Sequence, residues 1–395
     1  MSSQTTGHAV LLGGLANTTS AARSLGRDGV HVTIIADRKS PALKTRFAAK
    51  KIPINENQSE SDVYREWLLE GEHFPEGTVI FPCVDEAIYF VAKHKELLKK
   101  RYILDIQNPQ HQIDLLDKQR TLDMATETGC SSPGFWNIDS WQDIENCADD
   151  IVFPVLIKPI HSHIFQQEFA CKLFYIEDLE HLREKARLVM DADIEFMICE
   201  FIPGSDSQIS SYYVYIDEQG ERLFEYTKRV LRRSPPNFGA GCFHICEWIP
   251  ETAEMGYRFF KGIGFKGLGN IEFKTDPRSG ELKVIECNIR FTGAQDLVTK
   301  SGIDMPQIIF RYLTRGERPG KTSFTDFLTL WLPFEDFDSF RELRAAGELT
   351  FTQWIKSVFR FHTISYFDWT DPLPFIVDSR DHIFERIGFI INKFR

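Results

Sequence analysis

The chain has 395 residues, 43% of them hydrophobic, and a formal net charge of −11. That length exceeds one ordinary domain and implies two or three, while the composition, free of low-complexity tracts, implies a globular protein. The acidic balance argues against a dedicated nucleic-acid binder, and no apolar run reaches the roughly 18–20 residues needed to span a bilayer, so no membrane partner is expected.

The N-terminus carries no cationic segment ahead of its short apolar stretch, so a secretory leader is not expected. Eight cysteines are scattered among apolar neighbours. Cys242 and Cys246 form a C-x₃-C pair, but no second pair or histidine follows at zinc spacing, so buried, reduced thiols in a cytoplasmic protein are expected. Thirty-three phenylalanines imply a large aromatic core and apolar substrate or dimer surfaces.

In chain order, 8–12 reads as an apolar strand, 13–17 as a small-residue turn, 18–25 as a helix and 30–36 as a second strand ending at Asp37. This is a Rossmann-like β-α-β opening. Its turn, LGGLANTTSAARSLG, lacks the full G-x-G-x-x-G fingerprint, which gives little support to NAD(P) binding. Exposed amides at the helix start still suit an anionic ligand. Residues 78–82 form another strand, followed by Asp85-Glu86 at the head of an amphipathic helix running to about residue 100. Acids there commonly cap the helix, but open α/β sheets also place ligands at this end of their strands. The α/β pattern breaks at 107–113, and 114–129 reads as a new helix carrying Asp117-Lys118, which puts a first boundary near residue 110.

Beyond it, 152–159 is a strand ending at Lys158-Pro159, 176–190 a helix, and 196–202 an apolar strand broken by Pro203-Gly204. Residues 208–217 and 222–230 are strands and 252–263 a helix; strands in runs with interspersed helices indicate α+β. From about 324 onward aromatic helical segments alternate with turns.

The segment 269–290, GNIEFKTDPRSGELKVIECNIR, reads as a hairpin, because two apolar runs (270–275 and 282–288) flank a Pro-Arg-Ser-Gly turn. Alternation puts Glu286, Asn288 and Arg290 on one face and Ile285, Cys287 and Ile289 on the other. A hairpin centred on Ser279 sets Glu272 opposite Glu286. Like charges in that position are destabilising, and a divalent cation between them removes the conflict. Two carboxylates and an amide oxygen suit Mg²⁺, which completes its shell with water and phosphate; Arg290 then meets phosphate oxygens with its planar fork.

Taken in order, Asp117-Lys118, Pro154-Val-Leu-Ile-Lys158-Pro159, Glu200-Phe-Ile-Pro-Gly204, Gly269-Asn-Ile-Glu272 and Glu286-Cys-Asn288-Ile-Arg290 resemble the ATP-grasp superfamily over residues 8–315. Within it, LRRSPPNFGAGCF and GIDMP look like carboxylate–amine ligases of the D-aspartate ligase type. The resemblance implies a Rossmann-like pre-ATP-grasp domain (1–110), a two-lobed ATP-grasp domain (111–320, lobes about 111–200 and 200–320) and a helical, aromatic extension (321–395). It implies ATP between two antiparallel sheets, with Lys118 and Lys158 at the phosphates. Cys199, Glu200, Phe201 and Ile202 would lie at the adenine, Asp206 at the ribose, and Glu272, Glu286 and Asn288 on Mg²⁺ or Mn²⁺. Where many such ligases carry a glycine-rich loop after the lysine, this chain reads IHSHIFQQEFACK. His161, His163 or Lys172 would then stand in at the phosphates.

The implied reaction joins a small-molecule carboxylate to an amine through an acyl phosphate, with Arg290 and, from the cluster Lys228, Arg229, Arg232 and Arg233, at least Arg229 or Arg233 meeting substrate. No side-chain nucleophile is needed, and no G-x-S-x-G is present. A homodimer is the family's expectation. The alternatives are a catalytically silent ATP-binding regulator and an NAD(P)-dependent oxidoreductase.

Overall fold

The structure is a computed structural model that describes residues 7–160, 162–359 and 362–393. Its first sheet is parallel and five-stranded: β1 (His8–Leu12), β2 (His31–Asp37), β3 (Lys50–Ile54), β4 (Thr78–Pro82) and β5 (Tyr102–Leu104), in the order β3-β2-β1-β4-β5. The central strand β1 is apolar at every position after its first residue because both of its faces are covered. Ala9 and Leu11 pack with Ala21 and Leu25 of the helix Ala16–Arg27. Val10 and Leu12 pack on the other side with Tyr64 and Phe90.

The second sheet is antiparallel, from β6 (Phe135–Ile138), β7 (Val155–Pro159), β8 (Phe174–Ile176) and β9 (Phe196–Glu200), in the order β6-β9-β7-β8. The third contains β10 (Ile209–Ile216), β11 (Arg222–Ser234), β12 (Ala240–Cys246), β13 (Gly267–Thr275), β14 (Leu282–Asn288), β15 (Thr329–Trp331) and β16 (Thr363–Ile364), ordered β14-β13-β10-β11-β12-β15-β16. The α/β opening followed by α+β thus stands. No helix among the described residues is long and apolar enough to cross a membrane, and all eight cysteines are free thiols.

Several expected elements change at their edges. The helix expected from 83 to 100 breaks at His94 into Asp85–Lys93 and Lys95–Leu98. β11 runs on to Ser234, bulged around Val230–Arg233. Inside the segment expected to be a helical extension, β15 and β16 add two strands to the third sheet.

One buried acid fastens that segment down. Asp336, in the helix Pro333–Ala345, accepts from Arg232 Nε at 2.5 Å and Nη2 at 3.1 Å, and from the indole nitrogens of Trp331 and Trp354, each at 2.9 Å. The Arg232 and Asp336 side chains are 9% and 0% exposed. Removing one partner leaves an uncompensated buried charge. Asp336→Ala should therefore lower the unfolding free energy by about 3–5 kcal/mol in urea titrations; a loss below about 1 kcal/mol, the worth of an exposed pair, would show that the pair is solvated.

Candidate functional site

The hairpin of β13 and β14 pairs Glu272 with Glu286 and Asn270 with Asn288, the register that a turn centred on Ser279 requires. Nearer the turn the register shifts, since Phe273 faces Val284. Ile285 is thereby an extra residue, a bulge, rather than a member of the face shared by Cys287 and Ile289. In a regular strand Val284 and Glu286 would point the same way. The bulge lets Val284 enter the core with Ile271 and Phe273 while Glu286 stays beside Glu272.

The polar row continues across the sheet. Ser211 of β10 stands opposite Glu272, and Lys228 of β11 stands opposite Ser211. The Ser211 hydroxyl donates to Glu272 Oε1 at 2.9 Å; Lys228 Nζ donates to Ser211 Oγ at 2.8 Å and reaches Glu272 Oε1 at 3.4 Å. The Lys228 side chain is 2% exposed. Burial alone would push the Glu272 carboxyl up, but Lys228 and the Ser211 hydroxyl outweigh it and hold Glu272 below the ordinary range. Glu286 lacks such an underpinning: desolvation, then the Glu272 charge, pushes it up. Burial and the Lys228 charge press His244 down to about 3, so it is a neutral ring whose Nε2–H donates to the Gly241 carbonyl at 3.0 Å.

Three cations close the other sides. Asp117 caps the helix Lys118–Glu127 by accepting from the Gln119 and Arg120 amides at 2.8 and 3.2 Å. This aims Lys118 across to the second sheet, where Nζ donates to the Pro159 carbonyl at 3.0 Å. Burial lowers the Lys118 pKa; Glu286 raises it and Lys158 lowers it further, so Lys118 lies within electrostatic reach of both Glu286 and Lys158. Arg290 Nε donates to Asp85 Oδ1 at 2.6 Å. Asp85, which the sequence offers both as a helix cap and as a residue at the ligand-binding end of the strands, thereby brings the end of β4 to the hairpin.

Other expected site residues are committed elsewhere. Glu200 Oε2 accepts from the Gly134 amide at 2.9 Å and Lys283 Nζ at 3.0 Å, and Oε1 pairs with Arg278; its side chain ties β9 to the hairpin turn. The Glu200 and Phe201 amides donate to Gly134 and Pro154 carbonyls, and the Ile202 carbonyl accepts from Lys274 Nζ at 2.9 Å. Asp206, expected at the ribose, is buried and accepts from the Arg233 and Asn237 amides at 3.0 and 3.2 Å. It shapes the turn after β11, where a Cβ on Gly239 would stand 1.7 Å from the Ser234 carbonyl oxygen. Arg233 closes that turn by donating to Gly239 and Asn237 carbonyls at 2.5 and 3.0 Å, yet its charge still reaches Glu272 and Lys228.

Arg229 faces away. It neighbours Lys228 in β11, so its side chain leaves the opposite face of the sheet, and it is held by Glu247 and the Ser207 carbonyl. Sequence reasoning chose the arginines of this cluster; the residue under Glu272 is Lys228, which the register of β11 against β10 alone identifies. In place of a glycine-rich loop the chain forms the helix Ser162–Phe169, anchored by Phe165 and Phe169 against Phe174 with ring centroids 4.8–5.2 Å apart. Lys172 is exposed beyond it; His161 and the side chain of His163 lie outside the described residues.

The residues present fit a hard cation. Among the described residues no three or more His, Cys, Asp or Glu gather as metal ligands, which leaves two carboxylates and amide oxygens, a set suited to Mg²⁺ completed by phosphate and water rather than to zinc. Asn270, buried beside the acids, donates its Nδ2 to the Tyr212 carbonyl at 3.2 Å, and its Oδ1 has no hydrogen-bond partner among the described residues.

No protein-family model matches the chain. It is 28% identical to the D-aspartate ligase of Enterococcus faecium over 166 residues, 40% of this chain and 39% of that protein. It is 26% identical to the carbamoyl phosphate synthase large chain, C-terminal section, of Methanopyrus kandleri over 202 residues, 49% of this chain and 36% of that one. The chain thus spans less than two fifths of the length of the curated relatives it matches. Among solved structures, it superposes on the biotin carboxylase domain of Hydrogenobacter thermophilus 2-oxoglutarate carboxylase, crystallised with MgADP and bicarbonate, at a TM-score of 0.62, 16% identity and 82% and 73% coverage of the two chains. The L-amino acid ligase of Bacillus licheniformis gives 0.59, 17%, and 80% and 75%. An ADP complex of N5-carboxyaminoimidazole ribonucleotide synthetase gives 0.64, 10%, and 83% and 82%.

The acid pair generates a pH dependence. A carboxyl raised in the folded state binds its proton more tightly there than in the unfolded chain. Its stabilising contribution is complete below the unfolded pKa and is lost as pH rises through the folded value. In EDTA, Glu286→Gln should thus gain stability over the parent chain progressively above about pH 4.3, followed by urea denaturation; equal pH profiles would contradict the opposed pair.

Proposed function

We propose that this chain, whose fold is that of the ATP-grasp ligases, is an ATP-dependent ligase that joins a small-molecule carboxylic acid to an amino acid or amine. A substrate carboxylate oxygen attacks the γ-phosphorus, the bond to the β,γ-bridging oxygen breaks, and ADP leaves an acyl phosphate. The amine nitrogen then attacks the acyl carbon, phosphate departs, and the nitrogen gives up a proton. Such chemistry asks for positioning and charge stabilisation more than for a covalent side chain.

Each group has a part in that reading. Lys118, from the start of its helix, and Lys158, from β7, meet the phosphates. Arg290, oriented by Asp85, meets the transferred phosphoryl group or the acyl phosphate. Lys228 keeps Glu272 ionised. Glu272, Glu286 and Asn288 would hold Mg²⁺, or Mn²⁺ in its place, and when bound it supplies charge neutralisation at the phosphate oxygens. The backbone at 199–202 borders the adenine with whichever groups its own hydrogen bonds leave free. The same reading divides the chain near residues 110 and 320 and makes it a cytoplasmic homodimer.

The observation that carries the proposal is the row Glu286–Glu272–Ser211–Lys228, laid across four adjacent strands and faced by Lys118 and Arg290. ADP release from MgATP, assayed with paired acids and amines, should require both partners. It should fall roughly 10²-fold or more in Glu286→Gln, the scale on which removal of one transition-state charge stabiliser is felt. Arg229→Ala, altered on the far face, should leave turnover nearly unchanged. ADP release indifferent to every acid–amine pair, or to Glu286→Gln, would contradict the assignment.

A further inference from the structure

The helix Ala16–Arg27 touches the candidate site at one end and a separate pocket at the other. At its start Asn17 Nδ2 donates to the Cys83 and Phe291 carbonyls at 2.7 and 2.8 Å, next to Arg290. Further along, the helix packs on the helices Gln295–Ser301 and Met305–Arg315 and borders with them a separate open pocket of about 170 Å³. That is roughly ten times the ~10–15 Å³ that one water needs. With a rise of about 1.5 Å per residue, Arg23 stands about 9 Å along the helix from Asn17.

Every residue lining this open pocket is polar or charged. Most of the charges neutralise one another. Arg23 is tied to Asp371 at 2.9 Å, Arg27 to Asp368 at 2.6 Å, and Asp28 to Arg311 at 2.8 Å. Among the described residues two carboxylates form no direct ion pair: Asp304, which accepts from the Ser24 hydroxyl and the Gln307 amide with the Arg27 charge nearby, and Asp296. Asp296 is 6% exposed, and its Oδ2 has no hydrogen-bond partner among the described residues. A buried carboxylate left short of donors is costly, and a donor held in the pocket that Asp296 lines would relieve that cost. Lys300, also a lining residue, is exposed, with Nζ 3.5 Å from the Phe367 carbonyl.

Two acids without an ion pair and an exposed lysine among the lining residues complement a small zwitterion. We propose that this pocket is a second binding site, for a free amino acid, whose ammonium donates to Asp296 and Asp304 and whose carboxylate pairs with Lys300. An ammonium brings three donors, which suits two acceptor groups better than a hydroxyl does. The site stands apart from the nucleotide cleft and does not depend on the ligase reading.

Calorimetric titration of the full chain with each common L-amino acid and its D-enantiomer, at saturating MgADP, tests it. At least one should bind at one per chain. Lys300→Ala, a surface change that leaves folding intact, should weaken that binding at least tenfold. Asp296→Asn should abolish it, and Glu286→Gln, which disables the cleft, should leave it unaltered. Absence of binding by every amino acid would overturn the proposal. So would binding that survives Lys300→Ala undiminished, or that disappears in Glu286→Gln and so belongs to the cleft.

Discussion

Two carboxylates held face to face on neighbouring strands are the constraint around which this molecule is arranged. Glu272 and Glu286 repel one another in the bare protein, and the backbone register leaves them no escape. The chain answers the repulsion asymmetrically. Beneath Glu272 it places a fully buried lysine and a serine hydroxyl; toward Glu286 it brings Lys118 from a helix and Arg290 from just past β14. One acid is thus fixed as an anion, while the other is tuned by whatever enters the cleft.

The rest of the architecture serves that arrangement. The parallel sheet delivers Asp85 at the exit of β4, which orients Arg290. The second sheet delivers Lys158 and, through the Pro159 carbonyl, a rest for Lys118. Glu200 locks the far end of the hairpin to the same sheet through Lys283 and Arg278. Behind the third sheet, the Asp336–Arg232 pair fastens the C-terminal segment. Buried polar contacts of this kind are satisfied on nearly every side, which favours a single geometry over a looser apolar packing.

Much of this could be read from the chain, and the failures have physical reasons. The Glu272–Glu286 pairing was readable because a hairpin's register follows from its turn, so two local signals fix a tertiary contact. The central strands of the parallel sheet were readable because they are buried on both faces. Lys228 and Arg229 could not be told apart, since adjacent residues exchange faces and the register of β11 depends on a partner distant in sequence. Asp206 is placed at the ribose by the resemblance alone; its contacts to the Arg233 and Asn237 amides come from residues distant in sequence and carry no local signal. β15 and β16, three and two residues long, are too short to carry a pattern. The helix at 162–169 was hidden by the expectation of a loop, although Phe165 and Phe169 at i and i+4 are a helical signal.

The central claim is that the two opposed acids exist to be bridged by a cation that carries nucleotide phosphates. A crystal structure of the chain with MgADP measures this directly. The account predicts one ion about 2.0–2.1 Å from carboxylate oxygens of both Glu272 and Glu286 and from a phosphate oxygen. Nucleotide bound with its ion elsewhere, the two acids still unbridged, would contradict it.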